Sequence, residues 1–399
     1  MNYLVTPANW RNLTDLICQR PDGVLVPSAN VATTREELRS RAQPLPGTDV
    51  VLKTSGSTSG NGHLVGLSWQ ALDASGRSTA QVLGEGDWLL ALPCHHIAGF
   101  QVLARAALAG RTPYVLDLEG GFSPQRFAQL ARKMPAGSFV SLVPTQLQRL
   151  LAAGEAAVLS DFAAVLVGGA PTSSALLQTA KDAGIKVVTT YGMTETCGGL
   201  FYNQLPLPGA QVRIVPEDAR ASLTLPGAGA DFPTVSPATG RIELAGPMIA
   251  QGYLDAPTSS SFFYEGDTRW HRTNDIGTME GGKLVVRGRA DDTIISGGLK
   301  ISATEITAAL RAHPNVQDAL SVGIPDPEWG EVVGALVIAK NCHPAHLRDF
   351  VADRLGHSCA PRIIAFVQSL PYLAPGKVDR RTGRAVLERA RHDGTAWTK

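Results

Sequence analysis

The sequence predicts an α/β protein: a large N-terminal domain with mainly parallel sheets and a β subdomain, followed by a small, mobile α+β C-terminal domain. Three observations carry this. From Trp88 to Thr190, short apolar runs alternate with stretches of helix length, the pattern of parallel strands covered by helices. Beyond Gly198 the alternation gives way to strand-like runs separated by Pro, Ala and Gly. A chain of 399 residues also exceeds one ordinary core, so more than one domain is expected.

In order, helices are expected around Trp10 to Cys18, and from Thr33 to Arg41 with an acidic first turn. A helix from Ser68 to Val82 follows, since Ser68 can cap it and no proline interrupts. Strand Trp88 to Pro93 precedes helix Ile97 to Ala109, which ends at Gly110. The alternation then runs through strand Pro113 to Leu116, helix Ser123 to Lys133, strand Phe139 to Val143 and helix Thr145 to Ala152. Strand Ala164 to Val167, helix Ser173 to Ala183 and strand Lys186 to Thr190 complete it. Gln211 to Val215 and Arg241 to Leu244 read as strands of the β subdomain, with a long loop from Pro216 to Gly240 between them. Leu284 to Arg289 closes that region, and the domains are placed at 1–290 and 291–399. The small domain should hold helix Ala303 to Ala312, strands Ala319 to Gly323 and Val332 to Ala339, and helix Pro344 to Leu355. The arginine-rich stretch Arg380 to Arg391 reads as a solvated terminal helix.

Composition narrows the function classes. Hydrophobic residues make up 44% and charged residues 18%, as in globular proteins, and the net charge of +1 argues against a nucleic-acid partner. Five cysteines lie scattered without a Cys-x-x-Cys pair, which favours reduced thiols and a cytoplasmic setting. Met1 to Arg11 lacks the basic-then-apolar order of a secretory signal, and no apolar run is long enough for an integral membrane segment. Small-molecule substrates are the expected partners, with a homodimer left open.

The most informative stretch is Thr54-Ser55-Gly56-Ser57-Thr58, which continues as Ser59-Gly60-Asn61-Gly62 after the apolar run Val50 to Leu52. Glycine lets the backbone approach a ligand, and exposed N–H groups with small hydroxyls make an anion cradle. The spacing is not that of a Walker loop, and a plain Gly/Ser loop fits the same composition. Further candidates cluster at the ends of predicted strands, where open α/β sheets bind ligands. They are Pro93 to Gly99 with His96, Gly168-Gly169-Ala170, and Tyr191-Gly192-Met193-Thr194-Glu195. A tyrosine face can stack on a base, and Glu195 can hold magnesium through oxygen. Asp275, read as lying after a strand, could accept ribose hydroxyls, and Lys377 sits on a glycine-flexed loop with Gly376.

These stretches, with Thr273 to Gly277 and Gly288-Arg289-Ala290-Asp291-Asp292, stand in the order found in the adenylate-forming acyl-CoA synthetase superfamily. The chain resembles that superfamily over about residues 50 to 385. Within it, Ser141 to Leu147, Arg105 and the short N-terminal region look most like the o-succinylbenzoate–CoA ligases of menaquinone synthesis. The resemblance implies ATP, Mg2+ and coenzyme A. It assigns the ATP phosphates to Thr54, Ser55, Gly56, Ser57 and Thr58, and the adenine to Gly168, Gly169, Ala170 and Tyr191, with Gly192 and Met193 beside them. Thr194 and Glu195 would attend the α-phosphate and the metal, with Thr58 as second metal contact, and Asp275 and Arg289 the ribose. Lys377 would bridge acid and α-phosphate, Asp291 would be the hinge, and Gly297 and Gly298 would meet pantetheine. His96 would border the acyl and pantetheine channels. Arg105, Thr145, Gln146 and Gly192 would meet the acid.

One departure stands out. The family loop continues Gly-x-Pro-Lys, but here Ser59-Gly60-Asn61-Gly62-His63 takes its place, so either His63 replaces the lysine or the phosphate grip is weaker. The implied chemistry follows from charge: a carboxylate attacking a polyphosphate meets like-charge repulsion, which Lys377 and magnesium must offset. Two alternatives share these residues. One is a ligase or carrier-loading enzyme for another aromatic or fatty acid. The other is a degenerate nucleotide-binding protein, against which Glu195, Asp275, Arg289 and Lys377 together argue.

Overall fold

The computed structural model describes residues 2–54, 62–216, 239–257, 261–373 and 377–399. Contacts divide them into two units. The first takes residues up to 54, 62–213 and 243–273, and the second takes 214–216, 239–242 and 274–399. The expected boundary at 290/291 lies inside the second unit.

The first unit opens with β1 (Tyr3–Pro7), α1 (Trp10–Gln19), β2 (Val24–Ser28), α2 (Val31–Arg41), β3 (Val50–Lys53) and β4 (Leu64–Leu67). It continues through α3 (Trp69–Leu83), β5 (Trp88–Leu90), α4 (Ile97–Leu108), β6 (Tyr114–Val115), α5 (Pro124–Ala131), β7 (Phe139–Leu142) and α6 (Pro144–Ala152). Then come α7 (Ala156–Ser160), β8 (Ala164–Val167), α8 (Ser174–Asp182), β9 (Val187–Met193), β10 (Gly198–Tyr202) and β11 (Leu205–Pro206). After these follow β14 (Gly252–Tyr253) and β15 (Phe262–Glu265), while β12 (Gln211–Val215), β13 (Gly240–Ala245) and β16 (Thr268–Glu280) have residues in both units.

Helix starts lie where small hydroxyls can cap them. Ser68 accepts from the Ala71 amide at 3.2 Å, Ser123 from Arg126 at 3.3 Å and Ser173 from Leu176 at 3.2 Å. The main sheet has seven strands in the order β11-β10-β9-β8-β7-β5-β6, and the five from β9 to β6 are parallel. Its core includes Leu89, Phe127, Val140, Leu147 and Val165, all fully buried. A second sheet, β1-β2-β3-β4-β14, begins with two strands the sequence reading does not contain. Both are only five residues long, and they pair in parallel across α1, so no local alternation marks them.

Two corrections bear on the site. Strand β9 runs on through Tyr191 and Gly192 to Met193 rather than ending at Thr190. The reason is its pairing with β10, which holds Met193 opposite Gly198. Asp275 lies within β16, not after a strand, because β16 turns back into a hairpin partner that places Asp275 opposite Arg289.

In the second unit that partner is β17 (Lys283–Arg289), followed by a 3-10 turn at Ala290–Asp292. The rest is β18 (Thr293–Ser296), β19 (Leu299–Ser302), α9 (Ala303–Arg311), β20 (Val316–Asp326), β21 (Gly330–Ala339) and α10 (Pro344–Leu355). It ends with β22 (Ile363–Phe366), β23 (Tyr372–Leu373), β24 (Lys377–Val378), α11 (Arg380–His392) and β25 (Trp397–Thr398). Alternation along β21 builds two cores: Val333, Ala335 and Val337 pack with α9 and α10, while Val332 and Leu336 pack with Leu387 of α11. Helix α11 is therefore docked rather than simply solvated, with Leu387 fully buried. Lys377 lies on a two-residue strand opposite Leu373 rather than on an open loop.

Candidate active site

The carboxyl ends of β5, β7, β8 and β9 are adjacent in the parallel sheet, so the segments that leave them share one edge. His96 ends the segment after β5 and stands at the N-cap of α4, its ring 4.3 Å from that of His95. Burial lowers the pKa of His95, which favours its neutral form. Gly99 is required behind them, since a Cβ there would lie 2.4 Å from the Pro93 carbonyl oxygen.

After β7, Gln146 uses both ends of its amide to build the edge. Its oxygen accepts from the Val143 amide at 3.0 Å and its nitrogen donates to the Ala91 carbonyl at 2.9 Å. Thr145, half-buried, precedes it. After β8, Gly168 sits so close to β9 that a Cβ would fall 2.0 Å from Thr190 Oγ1, and Gly169 has φ +80°. Gly192 is equally tight, a Cβ there meeting the Gly198 carbonyl oxygen at 2.0 Å. Both glycines are thus demanded by close packing, Gly168 against Thr190 and Gly192 against Gly198 of β10.

Glu195 follows on the 3-10 turn Thr194–Thr196 and is buried with Thr194. Its Oε1 accepts from the Tyr253 hydroxyl at 2.8 Å, and its backbone carbonyl accepts from the Ala250 amide at 2.9 Å. Nearby His271 is 3% exposed, stacks on Phe262 at 4.5 Å and holds the Ser261 carbonyl through Nδ1 at 3.2 Å. Burial is the main cause that lowers its pKa, and the negative charge of Glu195 works the other way.

The phosphate-loop residues Ser55, Gly56, Ser57 and Thr58 lie outside the described residues. What is described is the base of that loop. The Thr54 amide donates to the His63 carbonyl at 2.9 Å, and the His63 amide donates to Thr54 Oγ1 at 2.8 Å. Gly62 allows this closure, for a Cβ there would lie 1.8 Å from the Thr54 carbonyl oxygen. The His63 imidazole points Nδ1 at Asp255 across 3.3 Å and packs 4.7 Å from the Tyr253 ring. Asp255, whose side chain is fully buried, also pairs with Arg41 and accepts from the Leu64 amide at 3.1 Å.

Sequence reasoning missed Tyr253 and Asp255. Their signal is an aromatic and an acid two residues apart beside a short strand, which turns both side chains to one face. Arg105 lies on the buried face of α4, with its guanidinium 5.0 Å above the Trp88 ring and Nη2 3.4 Å from the Tyr202 hydroxyl. Its Nε has no hydrogen-bond partner among the described residues.

In the second unit, Arg289 holds Asp291 through two 2.8 Å contacts and lies 3.6 Å from Asp275. Burial works against its charge, but Asp291 and Asp275 outweigh it and hold the guanidinium protonated. Gly297 and Gly298 form the β18–β19 turn with φ +56° and +81°, a two-glycine turn that β-branched residues could not make. Gly297 donates its amide to the Trp329 carbonyl at 2.9 Å. Among the described residues, no group of three His, Cys, Asp or Glu side chains converges on a metal site. Magnesium does not require one, since it keeps waters and binds one or two carboxylates plus substrate phosphates. The buried carboxylate of Glu195 fits that donor set.

The chain matches the family model of AMP-binding enzymes over residues 21–254 and that of the AMP-binding enzyme C-terminal domain over residues 305–377. The probable 2-succinylbenzoate–CoA ligase of Mycobacterium tuberculosis is 37% identical over 341 residues, 83% of this chain and 82% of that protein. The 2-succinylbenzoate–CoA ligase of Geobacillus kaustophilus is 33% identical over 339 residues, 82% of this chain and 66% of that one. The solved o-succinylbenzoate CoA synthetase (MenE) from Bacillus subtilis, in complex with the acyl-adenylate intermediate OSB-AMP, aligns with a TM-score of 0.71 at 25% identity. That alignment covers 94% of this chain and 81% of the other.

Proposed function

Because the chain belongs to the AMP-binding enzyme family, we infer that it is an AMP-forming acid–thiol ligase that converts 2-succinylbenzoate to its coenzyme A thioester, a step of menaquinone biosynthesis. ATP, Mg2+ and coenzyme A are the other participants. The observation that carries this reading is the strand end Tyr191 to Glu195, with a buried carboxylate bonded by Tyr253, in a chain 37% identical to the mycobacterial relative.

The residue roles follow from the resemblance and from position. Gly168, Gly169, Ala170 and Tyr191 frame the adenine, with Gly192 and Met193 beside it. Thr54 and the loop that His63 closes hold the phosphates, and Thr194 stands at the α-phosphate. Glu195 holds the metal, with Thr58 as its second contact. Magnesium, when bound, neutralises phosphate charge and so favours attack by an anion. Asp275 and Arg289 take the ribose, and Lys377 brings positive charge to the meeting point of acid and α-phosphate. His96 borders the acyl channel, and Gly297 with Gly298 meets pantetheine. Asp291 is the hinge between the adenylating and thioester-forming arrangements.

For the acid, Arg105 is the buried cation that a second, unreacted carboxylate requires, since burying that carboxylate unpaired would be unfavourable. Among the described residues no acidic side chain forms a salt bridge with Arg105. Thr145 is the further residue assigned to the acid, while Gln146 acts by shaping the edge. The enzyme works in the cytoplasm, a reading supported by five cysteines that are all free thiols. No described helix is long and apolar enough to cross a membrane.

Acid-dependent pyrophosphate exchange with a panel of acids tests the reading. 2-Succinylbenzoate should support exchange best, and coenzyme A should convert the adenylate to a thioester. Exchange with another aromatic or fatty acid and none with 2-succinylbenzoate overturns the substrate. No exchange with any acid overturns the ligase.

A further inference from the structure

The strands that carry Lys377 form a hairpin of two residues on each side, Tyr372 opposite Val378 and Leu373 opposite Lys377. So short a hairpin has no stability of its own, and its position must be imposed from outside. Two anchors are present. At one root, the Asp379 amide donates to the Pro371 carbonyl at 2.9 Å, while the Asp379 carboxylate caps α11 through the Thr382 amide at 3.1 Å. At the other, the Tyr372 hydroxyl donates to Asp318 Oδ2 at 2.5 Å.

Asp318 is itself fixed. Its Oδ1 accepts from Arg311 Nε at 2.7 Å and from the Ala319 amide at 2.8 Å. It stands at the register shift of β20 between Val316 and Asp318, and Arg311 ends α9. Tyr372 is nonetheless 43% exposed as a residue, so core packing alone does not fix it. Its contact with Asp318 ties the Tyr372 side of the hairpin to the body of the unit, while on the other side Val378 packs against the core around Leu320 and Leu387.

We propose that Tyr372 is a positioning residue: through Asp318 and Arg311 it sets where the Lys377 hairpin stands for adenylation. The inference rests on the reading of Lys377 given above. Burial and the neighbouring Asp318 charge both raise the phenol's pKa. The hydroxyl therefore remains a donor across the working pH range.

The test is Tyr372→Phe, which keeps the ring and removes the donor. Adenylation, followed as acid-dependent pyrophosphate exchange, should lose about tenfold in kcat, because small displacements of a reacting group are that costly in rate. KM for ATP should stay within about twofold, the mark of a group that acts only in the transition state. Thioester formation from supplied acyl-adenylate should be unchanged. In a Lys377→Ala background, Tyr372→Phe should have no further effect on residual exchange. Asp318→Asn, which keeps an acceptor for the phenol, should recover most of the activity that Asp318→Ala loses.

Equal loss in both half-reactions, or a Tyr372→Phe effect that adds fully to Lys377→Ala, overturns the proposal. If Lys377→Ala abolishes exchange while Tyr372→Phe is silent, only the positioning role falls. If Lys377→Ala leaves exchange intact, the reading of Lys377 falls and the proposal with it.

Discussion

Tyr253 donates its hydroxyl to Glu195 Oε1 at 2.8 Å while its ring lies 4.7 Å from the imidazole of His63. One side chain thus touches both the buried carboxylate assigned to the metal and the residue that closes the phosphate loop. Removing the hydroxyl should leave the ring packing and free Glu195. Tyr253→Phe is expected to lower the adenylation rate by about 1.5–3 kcal/mol, the worth of a hydrogen bond to a charged group. Titration of activity with Mg2+ should shift to higher concentration. An unchanged magnesium dependence would show that Glu195 is held adequately by its backbone.

Arg105 should discriminate between acids. Arg105→Leu is expected to weaken use of 2-succinylbenzoate by about 1.5–3 kcal/mol and to leave KM for ATP alone. An analogue without the ring carboxylate should be indifferent to the change. Equal loss on both acids, measured as kcat/KM, would assign Arg105 to the packing between Trp88 and Tyr202.

On the reading that His63 replaces the family's lysine, the imidazole takes over that role while its Nδ1 faces the fully buried carboxylate of Asp255. His63→Lys should tighten ATP binding by about threefold, or about 0.7 kcal/mol, with kcat unchanged. A large rise in KM for ATP would mean that the imidazole contact with Asp255 shapes the loop base and cannot be exchanged for charge.

Asp291 joins two expected roles, since the hinge carboxylate also holds Arg289 through two 2.8 Å contacts. Asp291→Pro fixes φ and should spare adenylation while thioester formation fails. Asp291→Asn, which keeps backbone freedom and weakens only the Arg289 contact, should affect adenylation alone. If Asp291→Pro supports both rates, the hinge lies elsewhere.

Stability should depend on pH through His271, which is buried and whose pKa is lowered by that burial. The unfolded chain, with an imidazole pKa of about 6.5, then binds a proton more readily than the folded one. Stability is therefore full above about pH 6.5 and falls as pH drops below it, toward the lowered folded value. His271→Gln should flatten that slope in urea denaturation across the same range. A slope unchanged in the variant would place the titration on another group.

The sequence alone settled much. Residue-type chemistry and strand–helix alternation are local, so the parallel sheet, the capped helices and the order of the glycine, glutamate and lysine motifs could all be read along the chain. Ser68, Ser123 and Ser173 stand at helix starts because a hydroxyl can bond an amide three residues on, whatever the tertiary context. What only the tertiary structure decided was pairing between distant segments. Strands β1 and β2 exist because they pair with each other, and β9 reaches Met193 because β10 lies opposite. Asp275 is a strand residue because Arg289 faces it. The spacing of Tyr253 and Asp255 marks them only as neighbours on one face, and Asp318 carries no local signal, since a buried hydrogen bond depends on which groups the fold brings within 3 Å or so. Sequence order names the groups that can donate and accept; the fold alone determines which of them meet.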